Sequence, residues 1–359
     1  FCNDNIIIST FNYFLHFNKR LQDPVNLSAA SWVEADDYKA EHHVLYYALP
    51  SPGRMDDLLR LVTRAHERPL DRSRPLWEIH VIDGLGDARF ALYCKVHHAL
   101  IDGVGAMKMM QSFFSRSAKD RIDLDSRHPV SHGHDSHHTL FQSLDQLGRN
   151  LQKQYKAIPE LSRLLAHMGL DALQGKQDAM RLPFTSPRTI FNTQLDSSRA
   201  IMVCDLSLAG VRKIARQAGG SVNDVLLAVC GGALREYLSS QAALPKPSLV
   251  AGMPVSLKSA GEQGGNKLSY IMSPFFTNEA DDWRRLQRVI KVTRAAKAEL
   301  GKVSTTAAED YYALLMAPTV LLTITGHANL VRPAVNAIFS NVPGSPEKLY
   351  VEGAELEFM

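Results

Sequence analysis

Residues 77–103 read WEIHVIDGLGDARFALYCKVHHALIDG, and this stretch decides the fold class of the first half of the chain. Two runs rich in aromatic and β-branched residues, Glu78–Asp83 and Phe90–His98, flank the turn Gly84–Asp87. Such runs around a short Gly/Asp turn are typical of a β-hairpin. The residues after Gly103 are small, apolar and rich in methionine. They predict a helix directly behind the second strand.

The second strand ends in a histidine pair that begins an H-H-x-x-x-D-G pattern, formed by His97, His98, Asp102 and Gly103. Side chains alternate across a strand, so His98 should share the apolar face of the strand and His97 should point the other way. We therefore expect the two histidines to have different roles. An imidazole at a strand end can act as a general base, because its unperturbed pKa is close to neutrality. The histidine pairs at 42–43 and 137–138 lack the following Asp and Gly.

The composition is that of a globular protein, with 45% hydrophobic and 21% charged residues, which excludes a disordered or collagen-like chain. A length of 359 residues predicts two domains, because one hydrophobic core rarely fills so long a chain. No apolar run is long enough to span a bilayer. The net charge of +3 does not indicate nucleic acid as a partner. Four scattered cysteines without a C-x-x-C pair favour a reduced, cytoplasmic compartment.

Hydrophobic periodicity predicts mixed α/β structure along the whole chain. A polar, His-rich segment, Lys119–His138, separates two halves of similar build. We expect an N-terminal domain at 1–118, a linker with a helix at 119–187 and a C-terminal domain at 188–359. The predicted strands are Trp32–Ala35, His43–Leu49, Ala200–Cys204, Leu249–Val255, Tyr270–Phe276 and Ala337–Asn341, and the predicted helices are Met55–Glu67, Leu140–Leu173, Leu208–Gln217, Ser221–Leu238, Asp281–Leu300 and Thr319–Leu330.

Further motifs occur in the order of one known family. With H-H-x-x-x-D-G they make the chain resemble, from about Phe11 to Met359, the bacterial wax ester synthase/diacylglycerol acyltransferases, a branch of the CoA-dependent acyltransferases built like chloramphenicol acetyltransferase. The resemblance implies an α/β fold of two such domains, each a mixed sheet flanked by helices, joined by a helical linker. The opening and the final C-terminal segment of the family have no counterpart, so we expect a truncated second domain. The further motifs are Pro75-Leu76-Trp77, Asn223-Asp224, Pro254–Lys258, Gly265-Asn266 and Ser340–Gly344.

The resemblance implies transfer of a fatty acyl group from acyl-CoA to a long-chain alcohol, giving a wax ester, or to diacylglycerol, giving triacylglycerol. His98 is then the general base, His97 supports it, Asp102 fixes the loop and Gly103 leaves room for substrate. The chemistry requires no covalent nucleophile, because the thiol of CoA is a good leaving group. The sequence has no G-x-S-x-G elbow. We expect no metal and no cofactor other than acyl-CoA as substrate.

Several side chains outside the histidine motif are candidates for substrate binding. The resemblance suggests that Asn223 faces His98 across the domain interface, although Asn223-Asp224 is also typical of a plain helix N-cap. Pro75-Leu76-Trp77 should anchor the hairpin through burial of Trp77. The predicted substrate-binding residues are Gly103, Asn223, Asp224, Ser256, Asn266 and Asn341, with Ser340 as a further donor.

Two other functions fit the motifs. One is a condensation-domain or polyketide-associated acyltransferase that takes its acyl group from a carrier protein. The other is a catalytically silent lipid-binding scaffold. The basic helix Trp283–Lys302 is either a solvated surface or a contact for anionic lipid or CoA phosphates at a membrane or lipid droplet. The histidines at 128–138 suit a solvated linker better than a metal site, because no complete ligand set accompanies them.

Overall fold

The structure is a computed structural model, and it describes most of the chain. Side chains at 256, 268, 309, 313, 315–317, 320 and 323–324 lie outside that description. The described residues are 18–22, 32–101, 105–107, 110–111, 114–120, 159–176, 178–193, 196–256, 268–327, 330–345, 347–351 and 353–357.

The first half is built on a small mixed sheet. An antiparallel pair, β1 (Lys19–Leu21) and β2 (Trp32–Glu34), precedes it, and a 3₁₀ turn, Ala40–His43, leads into its first strand. The elements of the sheet are β3 (Val44–Ala48), α1 (Met55–Glu67), β4 (Trp77–Leu85) and β5 (Arg89–Val96). The strand order is β3-β4-β5, with β3 parallel to β4 and β4 antiparallel to β5. The predicted hairpin, β4 with β5, is therefore confirmed.

The two faces of this sheet bury different side chains, as the two-residue period of a strand requires. On one face, Trp77, Ile79 and Val81 join a cluster with side chains of the H-H-x-x-x-D-G segment. On the other face, Ile82 packs with Leu58 of α1. The face that carries Trp77 is therefore the one that contacts the H-H-x-x-x-D-G segment.

The second half repeats this design with more helices. A helix at 159–173, α2, is followed by α3 (Leu208–Ala218) and α4 (Val222–Ser240). The elements that follow are β6 (Val250–Ser256), β7 (Leu268–Pro274), α5 (Asp282–Leu300), α6 (Thr305–Ile324) and β8 (Ala337–Ile338). The sheet has the strand order β7-β6-β8, with β6 antiparallel to β7 and parallel to β8.

Helices cover both faces of the second sheet. Helices α3, α4 and α5 share one cluster, in which Leu227, Val289 and Ile271 are fully buried. A Cβ on Gly231 of α4 would lie 2.1 Å from the carbonyl oxygen of Phe275, so glycine is required for this close approach. Helices α2 and α6 pack through Met168 and Tyr311 on a separate cluster. These mixed sheets with flanking helices confirm the predicted α/β fold class.

The last described strands pack against the first sheet rather than the second. They form a hairpin, β9 (Tyr350–Val351) and β10 (Ala354–Glu355). Ser115 and Tyr350 exchange backbone hydrogen bonds of 2.7 and 2.8 Å, and Val351 joins the cluster of Trp77. The domain boundaries stay a prediction. Leu349 and Val351 nevertheless belong to the hydrophobic core of the first sheet.

Two predicted elements were wrong. Residues 200–204 form no strand, and Met202 is 92% exposed, because a β-branched run becomes a strand only where a partner pairs with it. The helix predicted at Thr319–Leu330 has other bounds: it begins at Thr305 and ends at Ile324, as α6, and Pro318 lies inside it. Its start is capped by Ser304, whose hydroxyl oxygen accepts a hydrogen bond from the Ala307 N–H at 3.3 Å. The helix predicted after Gly103 is described only at 105–107 and 110–111.

No helix in the described part of the chain is both long and apolar enough to cross a bilayer.

Candidate active site

The histidine pair lies in a tight turn immediately after β5. The backbone N–H of His97 donates to the carbonyl oxygen of Leu76 at 2.9 Å, which extends the pairing of β4 and β5 by one residue. The N–H of Leu100 then donates to the carbonyl oxygen of His97 at 2.9 Å and closes the turn. Because the strand ends at Val96, its alternation does not fix where the His98 ring points. Both imidazoles are exposed at this edge of the sheet.

The ring of His97 braces the turn that holds it. Its Nδ1 accepts a hydrogen bond of 3.1 Å from the backbone N–H of Ala99, so its proton resides on Nε2. Partial desolvation, as the largest cause, together with the nearby positive charge of Arg72, lowers the pKa of His97 below its ordinary value. His97 is therefore neutral at neutral pH, as this acceptor role requires.

The segment Pro75-Leu76-Trp77 forms the wall beneath this turn. Leu76 is 2% exposed and Trp77 is completely buried. Trp77 pairs with Val96 across the hairpin, and its side chain shares a cluster with Leu100 and Ile101 of the motif. Trp77 is thus buried where the two strands of the hairpin meet the histidine turn.

Asn223 and Asp224 occupy the first turn of α4, where Ser221 is the N-cap and Asp224 completes a capping box with it. Its carboxylate accepts hydrogen bonds from the backbone N–H and the hydroxyl of Ser221, at 2.8 and 2.7 Å. The hydroxyl of Thr293 on α5 donates to its other oxygen at 2.6 Å. The side chain of Asp224 is thus buried and used within the protein, which is the capping role that the sequence left open. Asn223 beside it is half-buried.

The other predicted residues are only partly described. Ser340 and Asn341 are exposed after β8, and Ser256 is the last residue of β6, with its side chain outside the description. Asp102, Gly103 and Asn266 lie outside the described residues, as does the His-rich segment at 128–138.

The thiol within the hairpin, Cys94, is not a nucleophile, and no metal cluster appears among the groups that the structure describes. Cys94 lies within β5, and burial raises the pKa of its thiol to about 12, so it is not a thiolate near neutral pH. In the same part of the chain, no three His, Cys, Asp or Glu side chains are placed to hold a metal ion. The absence of a cofactor stays a prediction.

One residue near the site was missed by the sequence. His43 is 5% exposed and its ring stacks on Trp77. The sequence indicated no role for it, because the histidine pair at 42–43 lacks the following Asp and Gly. His43 and Trp77 are 34 residues apart in the sequence, so no local sequence pattern predicts their contact.

Two family models match the chain. The wax ester synthase/diacylglycerol acyltransferase catalytic domain matches residues 10–226, and the C-terminal domain of the same family matches residues 264–359. The chain belongs to this family. Membership confirms the resemblance found in the motifs and assigns the chain to the O-acyltransferases.

Relatives and solved structures of the family agree. A probable diacylglycerol O-acyltransferase of Mycobacterium tuberculosis is 36% identical over 341 residues, which cover 92% of this chain and 72% of the relative. The O-acyltransferase WSD of Acinetobacter baylyi is 29% identical, with 92% and 72% covered. The wax ester synthase/diacylglycerol acyltransferase of Marinobacter aquaeolei is similar in structure, with a TM-score of 0.66, 30% identity and coverage of 99% of this chain and 77% of that one.

The fold is shared beyond the family. The first condensation domain of the calcium-dependent antibiotic synthetase matches with a TM-score of 0.53 at 15% identity, covering 99% of this chain and 76% of that one. This likeness shows the fold alone.

The basic helix of this acyltransferase, α5, presents fewer free cations than its sequence suggested. The guanidinium of Arg285 is 3% exposed, pairs with Asp282 at 2.5 Å and donates to the carbonyl oxygen of Glu279 at 2.7 Å. It fits because a Cβ on Gly232 of α4 would lie 2.7 Å from its Nη1. Arg288 lies over the Phe276 ring at 4.2 Å and bonds Asp178 at 2.9 Å. The exposed cations of α5 are Arg284, Lys291, Arg294 and Lys297, of which Lys291 pairs with Asp178 at 3.2 Å and Arg294 donates to the carbonyl oxygen of Gly219 at 2.8 Å.

Proposed function

We propose that this protein transfers a fatty acyl group from acyl-CoA to a long-chain alcohol or to diacylglycerol, with His98 as the general base. In the proposed reaction, the imidazole takes the proton of the alcohol as its oxygen attacks the thioester carbonyl. The carbon–sulfur bond then breaks, and the CoA thiolate receives the proton from the imidazolium. The products are a wax ester or triacylglycerol and free CoA.

The exposed position of His98, in a turn held by hydrogen bonds, supports this proposal most directly. A general base must be accessible to the substrate and fixed in place, and the turn at His97 is held by two backbone hydrogen bonds and one ring contact. Histidine is the side chain most often used as a general base near neutral pH.

The reaction class fits the rest of the described site. Cys94 is buried and protonated, so the transfer proceeds directly from the thioester in our proposal. The CoA thiol is a good leaving group, because its pKa resembles that of cysteine. Asp102, Gly103, Asn223, Ser256, Asn266 and Asn341 stay candidates for orienting the loop and the substrates.

The substrates require contact with a lipid surface, because the acceptor and the products are insoluble in water. We place this contact on the exposed cations of α5, with Trp283, which is 51% exposed, at its start. Anionic head groups would face Arg284, Lys291, Arg294 and Lys297. The protein would then act from the cytoplasm on a membrane or lipid droplet, without spanning it.

Turnover of three substrate pairs tests the proposed function. Purified protein is supplied with palmitoyl-CoA and hexadecanol, with palmitoyl-CoA and diacylglycerol, or with a palmitoyl-loaded carrier protein and hexadecanol, and ester products are quantified. We expect ester from the first two mixtures and none from the third. Ester only from the carrier-bound donor would identify a condensation-type enzyme, and lipid binding without ester from any mixture would identify a scaffold.

A further inference from the structure

His43 lies at the same edge of the first sheet as the catalytic motif. It ends the 3₁₀ turn immediately before β3, which runs parallel to β4. Because β5 is antiparallel to β4, the first residues of β3 and β4 and the last residues of β5 lie side by side, at the same end of the sheet. His43 is buried there, whereas the neighbouring His42 is exposed.

His43 contacts Trp77 in two ways. Its Nδ1 lies 2.8 Å from the carbonyl oxygen of Trp77, and because a carbonyl can only accept, Nδ1 carries the proton and donates. The imidazole also stacks on the indole, with ring centroids 4.6 Å apart and planes 23° from parallel. The Trp77 carbonyl and side chain are therefore both fixed by one histidine.

The segment that His43 fixes also holds the catalytic turn. The carbonyl oxygen of Leu76, the residue before Trp77, accepts the hydrogen bond of the His97 N–H at 2.9 Å. The Trp77 side chain packs in one cluster with Leu100 and Ile101, on the far side of the turn. A displacement of Leu76-Trp77 would therefore reach the turn through its backbone and through its apolar side chains.

We propose that His43 is a positioning residue for acyl transfer, which fixes Leu76-Trp77 and thereby the turn that carries His98. This inference rests on the proposed role of His98 and adds a second, non-contacting histidine to it. His43 moves no proton in this account, and its neutral Nδ1–H form is the working form. A purely structural histidine would stabilise the fold without affecting the turnover of the folded enzyme.

Two substitutions of equal shape separate these roles. His43→Asn keeps an N–H donor near the position of Nδ1, and His43→Leu removes it. We expect His43→Leu to lower kcat about tenfold, in line with the loss of one buried hydrogen bond, with the KM for palmitoyl-CoA unchanged within about twofold. His43→Asn should recover most of this loss. His42→Leu, at the exposed neighbour, should leave kcat unchanged. If His43→Leu does not fold, His43→Phe keeps the ring stack while removing the donor.

A double-mutant cycle tests the link to His98. In a His98→Ala background, His43→Leu should lower the residual turnover no further, because the group that it positions is gone. An undiminished tenfold loss in that background would overturn the inference, as would equal kcat values for His43→Asn and His43→Leu.

Hydrogen–deuterium exchange provides a readout that does not depend on the role of His98. The His97 amide should exchange faster in His43→Leu than in the parent or in His43→Asn, because its acceptor Leu76 is less firmly held. Unchanged exchange in His43→Leu would overturn the positioning role even if His98 is the base. Conversely, full turnover of His98→Ala together with faster exchange would reject the proposed base and keep the contact between His43 and the turn.

Discussion

The amide of His97 donates a hydrogen bond of 2.9 Å to the carbonyl oxygen of Leu76, and this bond joins the two motifs of the N-terminal sheet. His97 is thus the last residue that β4 holds, and His98 is the first that projects beyond the paired strands. The Pro75-Leu76-Trp77 segment and the histidine motif therefore form one structural unit.

The ring contact of His97 predicts graded effects at that position. The Asn side chain also offers an oxygen that can accept from the N–H two residues later, whereas Ala offers none. We expect His97→Ala to lower kcat by about two- to tenfold, the value of one hydrogen bond, and His97→Asn to lower it less. Steady-state turnover of palmitoyl-CoA with hexadecanol measures both. Equal losses in the two variants would show that the bond to Ala99 is not what His97 contributes.

The bond between Thr293 and Asp224 predicts a stability effect in the C-terminal half. Thr293→Val leaves one oxygen of a buried carboxylate unpaired, and we expect the free energy of unfolding to fall by about 1–3 kcal/mol. Thr293→Ser keeps the hydroxyl and should cost much less. Urea unfolding of the two variants is the measurement, and equal stability of Val and Ser variants would contradict this account of Asp224.

The burial of His43 predicts a loss of stability in acid. Burial, as the largest cause, lowers the pKa of His43 below its ordinary value of 6.5, so the unfolded chain binds its proton more readily than the folded one. The free energy of unfolding should therefore fall as the pH drops below about 6.5. This loss of stability is complete once the pH is below the pKa of His43 in the folded protein. The titratable groups around His43 are His42, Tyr38, Asp71, Arg74 and Glu78.

Urea unfolding of the parent and of His43→Asn at about pH 7.5 and 5.5 isolates this contribution. The parent should lose more stability between the two values than His43→Asn does, and the His42→Asn control should behave like the parent. A loss of equal size in the parent and in His43→Asn would mean that other groups cause the acid sensitivity.

The exposed cations of α5 predict salt-sensitive binding to anionic lipid. Arg284→Gln with Lys297→Gln should reduce co-sedimentation with vesicles that contain phosphatidylglycerol, because each basic residue near such a surface contributes about 1 kcal/mol. Arg64→Gln with Lys246→Gln removes the same charge from exposed positions elsewhere and serves as the control. Equal loss in both double variants would indicate a general charge effect, and no loss in the first would place the lipid contact elsewhere.

The sequence predicted the elements whose signals are local. The hairpin, α1 from Met55 to Glu67 and α5 up to Leu300 lie where periodicity and turn residues indicated them. The family was recognised because its motifs are short and ordered along the chain.

The errors concern contacts with distant partners. The strand expected at 200–204 lacked a neighbour to pair with, and Arg285 is buried because glycines on another helix make room for it. The bond between His43 and Trp77 spans 34 residues, beyond the reach of any sequence window. Local propensity does not encode which segments meet, so these features emerge only from the packed structure.

The central claim is that His98 is the general base, and turnover of His98→Ala tests it most directly. We expect the initial rate with palmitoyl-CoA and hexadecanol to fall about 10²- to 10⁴-fold, the usual contribution of general-base catalysis. The melting temperature should stay close to that of the parent, since His98 is exposed beyond the sheet. A purified, folded His98→Ala variant that retains the turnover of the parent would contradict the account.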